Sequence, residues 1–388
     1  MKARWHQIAS IVACTSLLSS CSGSAYGPIS GPNCWQQCES SYAYVATPST
    51  LTTYSIIPST GELAALGSPL TFPGAEPLTS AGIVQVATDP SEQFLYVLDQ
   101  SSGVYAYAIN RNTGTLTAVA GSPFASPFGP TSLAFDAWGT HLYVAGETGP
   151  VAPVNTSIQA YSVDGSGALV PLANYTISGE LSTIVSTGNY LYVAGFYTNS
   201  ITVFSIGPSG ELFQNVPGSP FATDIGPFSI AADPSGSVLY TLDDGAPTAT
   251  EATPGSISAF TIDTSTGALT PVAANPMAVQ GGLNAGPGAI SIDSMGKFLF
   301  VPEGNGLAVY AINITTGALS AVAGSPFSAG TDPVFATVDP MAAVVYVINK
   351  SPANVSGFTL EGTGSPTPLT GLPIPVGTNP CCMSIVWE

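Results

Sequence analysis

The amino-acid sequence predicts an all-β fold: a seven-bladed β-propeller of four-stranded antiparallel blades, with the C-terminal strand closing the first blade. Three observations predict it. A tyrosine-rich strand recurs seven times at roughly 50-residue spacing, in the range for propeller blades, as YAYV (Tyr42), FLYV (Phe94), HLYV (His141), YLYV (Tyr190), VLYT (Val238), FLFV (Phe298) and VVYV (Val344). The string GSPF occurs at Gly121, Gly218 and Gly324, with GSPL at Gly67. The composition, 45% hydrophobic and only 7% charged with 42 glycines and 34 prolines, supplies a core, strands and tight turns but no sustained 3.6-residue pattern.

Each unit reads as four strands, A to D. The tyrosine-rich segment is strand B. Strand C follows with period-two alternation and an aromatic at its fourth position: Tyr54, Tyr107, Tyr161, Phe204, Phe260, Tyr310 and Phe358. A Thr/Ser-Gly-x-Leu turn such as TGTL at Thr113 leads into a short outer strand D, the Gly supplying a positive φ and the Leu re-entering the core. GSPF is expected to end strand D, since Pro cannot donate to a ladder, with its Phe wedged between blades. A small-residue strand A and an Asp-Pro or Gly turn then lead to the next strand B, as in SIAADPSG before Val238. A lone four-stranded sheet leaves both faces unburied, so radial stacking is the natural solution.

The chain enters at strand B, while the terminal NPCCMSIV aligns with a strand A. Cys382–Trp387 is therefore expected to become the innermost strand of the first blade. Residues 1–20 read as a signal peptide: Lys2 and Arg4 precede an apolar stretch, Ile8–Leu18, too short to span a bilayer. LSSC, Leu18–Cys21, resembles a lipobox, which places an acylated Cys21 at the head of a flexible tether (21–38) before the propeller (39–388). Such a lipoprotein is expected at the outer membrane, periplasmic or surface-exposed. In that oxidising compartment Cys34, Cys38, Cys381 and Cys382 are expected to form disulfides joining the two ends of the ring, with the pairing not readable.

Formal net charge is −18, and beyond the leader the only Lys or Arg residues are Arg111, Lys297 and Lys350. This excludes nucleic acid, whose binding rests on Lys and Arg releasing counterions, and disfavours anionic ligands.

The units GPFSIAADPSGSVLYTLDD and DPVFATVDPMAAVVYVINK resemble the seven-bladed propeller lactonase family, which includes propeller-type 6-phosphogluconolactonases; the resemblance spans about Tyr42 to Glu388. It implies a lactone hydrolase, although similar repeats also occur in non-enzymatic surface propellers. Three scattered cations argue against a phosphorylated substrate, leaving an uncharged lactone or sugar ester. No His, Glu or Arg motif of the family's fungal muconate cycloisomerase relatives can be carried over, and His141 reads as a solvated turn residue.

Candidate site residues lie where B–C and D–A connections share a rim of the channel. Asp243 and Glu303 are the candidate catalytic bases or metal ligands. Asp99, Glu147, Asp244, Asp224 and Asp332 complete the rim; Ca²⁺ suits such oxygen ligands. Enlarged B–C loops, Gly146–Ser157 and Asp243–Ser256, add recognition surface. Two readings stand: a lactonase acting at this rim, or a non-catalytic propeller that recognises glycan or protein.

Overall fold

In the computed structural model the described residues are 41–387, apart from 73–81, 149–154, 180–182, 246–254, 274, 280–288, 305, 340–342 and 361. They form seven antiparallel sheets and no helix. The leader, Cys21, Cys34 and Cys38 lie outside the described residues, as do parts of both enlarged loops.

Blade 1 shows how the ring closes. Its strands B (Ser41–Ala46), C (Thr50–Ile56) and D (Leu63–Thr71) are completed by strand A, Cys382–Trp387, which pairs Ser41 with Trp387 through Ala46 with Cys382. This is the closure expected from the sequence. The other blades run A to D in chain order; in blade 5, for example, these are Pro227–Ala232, Val238–Asp243, Ser256–Ile262 and Leu269–Pro271.

The repeats are blade-to-blade locks. The Tyr at position three of strand B is fully buried, and its hydroxyl donates to the Gly carbonyl in the C–D turn of the following blade. The bonds are Tyr44 to Gly114, Tyr96 to Gly167, Tyr143 to Gly210, Tyr192 to Gly267, Tyr240 to Gly317, and around the closure Tyr346 to Gly61, at 2.7–3.2 Å. A buried hydroxyl needs such a partner, and the bond fixes the angle between sheets. The same glycine is irreplaceable for a second reason. At Gly267, φ is +75° and a Cβ would come within 2.3 Å of the Tyr190 ring.

GSPF does not end strand D; it breaks it. In blade 4, Leu212–Phe213 and Phe221–Ala222 both pair with strand C (Ser200–Ile206), on either side of the turn. The serine hydroxyl replaces the missing ladder bond, accepting from the strand C amide: Ala106 to Ser122, Val203 to Ser219 and Val309 to Ser325, at 2.9–3.0 Å. Side-chain substitution for a ladder bond leaves no trace in a hydropathy pattern, hence the correction. The Phe does wedge as expected: Phe124, Phe221 and Phe327 pack on clusters built from two neighbouring blades.

Innermost strands are tied as well. Leu133 N–H donates to Gln85 Oε1 (2.7 Å), Ile184 to Ser132 Oγ (3.2 Å) and Ile290 to Ser229 Oγ (3.1 Å), each bond crossing from one blade to the next. Cys382 occupies the matching place in blade 1, taking a hydrogen bond from Val86 N–H, and burial pushes its thiol up. Cys381 and Cys382 are free thiols among the described residues, and their expected partners lie outside them.

Candidate functional site

The structure separates the predicted rim acids. Asp99, Asp243 and Glu303 end strand B of blades 2, 5 and 6, and all three are buried. Strand B is covered on both faces by neighbouring blades, so a carboxylate at its end points into protein. Asp99 Oδ1 accepts from the Ser101 and Ser102 amides (2.9 and 2.7 Å), closing its own B–C turn. Glu147, Asp224, Asp244 and Asp332 are only half-buried. Among the described residues no group of three His, Cys, Asp or Glu side chains comes together to hold a metal ion.

One pair of rim acids is linked. Asp243 accepts from Ser258 Oγ (2.5 Å) and Thr241 Oγ1 (2.8 Å); Asp224 accepts from Ser256 Oγ (2.8 Å), and its amide donates to Ser258 Oγ (3.1 Å). Burial raises Asp243 to about 7 against these hydroxyl bonds, which lower it, with the Asp224 charge adding to the rise. Folded protein thus holds this proton more tightly than the unfolded chain. The stability it contributes is full below about pH 4 and is lost as pH rises through about 7, roughly 4 kcal/mol in all. Urea denaturation at pH 5 and pH 8 should therefore show a smaller loss of stability for Asp243→Asn than for the parent; equal losses would refute the assignment.

His141 is not solvated. It opens strand B of blade 3, buried, with Nδ1 2.9 Å from Asp136 Oδ2. Its ring also forms the floor on which Gly210 of blade 4 packs. The equivalent floors are aromatic in other blades, such as Tyr42 under Gly114 and Phe94 under Gly167. Val238 under Gly317 and Val344 under Gly61 fill the same place, so what is required there is a packing surface for the glycine of the next blade, which turn chemistry alone does not announce.

Space for a ligand lies inside the channel. A cavity of about 500 Å³ is walled by the innermost strands and reaches the A–B turn of blade 2, with Gln85, Thr88, Asp89, Glu92, Thr183 and Ser186 among its polar lining. Among the described residues, the charged ones in its lining are Asp89 and Glu92. Asp89 is spent on its turn, accepting from the Ser91 amide (3.0 Å) and the Phe94 amide (2.6 Å).

Glu92 is different. It sits at φ +56°, where the matching turn positions of blades 3, 5 and 6 are Gly139, Gly236 and Gly296 at φ +66° to +69°. Left-handed backbone costs an L-residue about 1 kcal/mol or more, so a carboxylate here is held against local preference. The comparison of DPSE with DAWG, DPSG and DSMG was the available signal, and reading acids by strand ends missed it. Glu92 Oε2 accepts from the Trp387 amide (3.1 Å), and Arg111 Nη2 donates to the Trp387 carbonyl (2.5 Å). Burial raises the Glu92 carboxyl; the Trp387 bond and the Arg111 charge oppose that rise.

The family model for the lactonase seven-bladed β-propeller matches residues 95–245 and 250–385. The chain belongs to that lactonase family. Among solved structures, a candidate 6-phosphogluconolactonase of Bacteroides fragilis superposes with TM-score 0.70 at 21% identity, covering 91% of this chain and 99% of the other. The periplasmic gluconolactonase of Pseudomonas aeruginosa gives TM-score 0.70 at 17% identity, covering 90% and 99%. At these identities the likeness is one of fold. No curated protein sequence matches the chain.

Proposed function

We propose that this lactonase-family propeller hydrolyses an uncharged lactone or sugar ester inside its channel, with Glu92 as general base. The observation that carries this reading is the acid-only charge of the cavity lining, with Glu92 held there on left-handed backbone. Glu92 takes a proton from water as the water oxygen bonds to the lactone carbonyl carbon. The ring C–O bond then breaks, and the leaving alkoxide recovers that proton from Glu92, giving a hydroxy acid. The Trp387 amide orients the carboxylate, as a base requires. Lining hydroxyls, Thr88 and Thr183 among them, are the available donors to the developing oxyanion.

A phosphorylated lactone fits this cavity poorly. Unit charges of like sign 4 Å apart repel by about 4 kcal/mol in a surface-like dielectric, and Arg111, the cation whose charge acts on Glu92, is engaged with the closing strand. The test is steady-state hydrolysis of δ-gluconolactone and 6-phosphogluconolactone followed by acid release. Turnover of the first at well over ten times the kcat/KM of the second is expected. A preference for the phosphorylated ester would overturn the charge argument, and saturable lactone binding without turnover would favour the non-catalytic reading. We further propose that the protein is exported and tethered through Cys21, a setting matched by the periplasmic relative.

A further inference from the structure

We propose that a second site, at the channel end opposite Glu92, binds a neutral saccharide ring on Tyr197. Three connections meet there. Gly226 N–H donates to Asn199 Oδ1 (2.9 Å), Asp244 N–H to the Gly226 carbonyl (2.9 Å) and Gly245 N–H to the Ile225 carbonyl (3.0 Å). They join the B–C turn of blade 4, the connection into blade 5 and the B–C turn of blade 5.

On this base stand Phe196 and Tyr197, ring centroids 5.0 Å apart at 81°. Phe196 is partly buried against the core shared by blades 5 and 6 and packs over Gly226, where a Cβ would come within 3.2 Å. It is the anchor. Tyr197 is 70% exposed, and Ile225, in the connection into blade 5 that the same hydrogen bonds join, is 41% exposed. The result is a braced aromatic face open to solvent.

Size and charge select the occupant. An aromatic side chain offers about 150–250 Å², far below the roughly 800 Å² per partner of a stable protein interface, but the right scale for the apolar C–H face of one sugar ring. The acids nearby do not form a cation site. Asp224 and Asp243 are engaged by Ser256, Ser258 and Thr241, and burial raises Asp243 and Asp244, which favours hydroxyl partners over bare charge. Asp244, half-buried in the B–C turn of blade 5 and tied by its N–H to Gly226, supplies a carboxylate on the same rim for a sugar hydroxyl.

Calorimetric titration of the full chain with cellohexaose, maltohexaose and xylohexaose, with spermine as the cationic control, tests this. At least one hexaose should bind with an affinity unchanged between 50 and 500 mM NaCl. Tyr197→Ala should weaken it at least ten-fold, Tyr197→Phe less than three-fold, and lactone turnover should be the same in both variants as in the parent. That last readout keeps this site's fate separate from that of Glu92. Absence of hexaose binding, equal binding by Tyr197→Ala, or binding of spermine alone that salt abolishes would each overturn the proposal.

Discussion

Deleting residues 381–388 is expected to unfold the propeller. The closing strand carries Cys382, Met383 and Val386, each at most 2% exposed. Burying a side chain of this size is worth about 1.5–3 kcal/mol, so these three alone contribute roughly 5–9 kcal/mol, comparable to the 5–15 kcal/mol that holds a typical domain together. Strand B of blade 1 would also lose its ladder from Ser41 to Ala46, exposing a buried edge to the channel. Arg111 and Glu92 would lose the Trp387 backbone they grip. Size-exclusion chromatography and thermal melting of the truncated chain should show aggregation or no cooperative transition. A melt within a few degrees of the parent would show that the ring does not depend on its last strand.

Glu92→Gln is expected to lower kcat for δ-gluconolactone by about 10²–10⁴-fold, the usual worth of a general base, with little change in stability. Glutamine keeps an acceptor for the Trp387 amide and the same left-handed backbone, so the structural role survives while the base is lost. The raised carboxyl adds a pH signature. A base must be ionised, so the parent rate should fall with acidification through a pKa above the ordinary carboxylate value, and the residual rate of the variant should lack that limb. Equal rates for parent and variant would move the chemistry elsewhere.

How much of this was legible in the sequence depended on whether a feature repeats. The seven-fold strand pattern, the aromatic positions and the closure through Cys382–Trp387 were readable because each copy corroborates the others. What a copy does was less so. GSPF was visible, but not that Ser122, Ser219 and Ser325 carry a ladder bond on their side chains. Asp99, Asp243 and Glu303 were placed at the correct strand ends, yet their inward burial follows from blades covering both faces of strand B, which no single unit reveals. Glu92 was passed over and His141 misjudged for a shared reason: each departs from its repeat, one standing where other blades have glycine and the other where they have an apolar or aromatic floor. In a repeat protein such departures are the positions at which to test function and fit, and they emerge only when positions are compared across blades.

The most direct test of the account is where a lactone analogue sits. D-gluconolactam, isosteric with the lactone but resistant to hydrolysis, should be soaked into crystals of the full chain. The account predicts its ring in the channel cavity, with the Glu92 carboxylate accepting a hydrogen bond from a water that faces the lactam carbonyl carbon. Lactam lodged only at the opposite rim beside Tyr197, in a protein that turns over δ-gluconolactone, would contradict it.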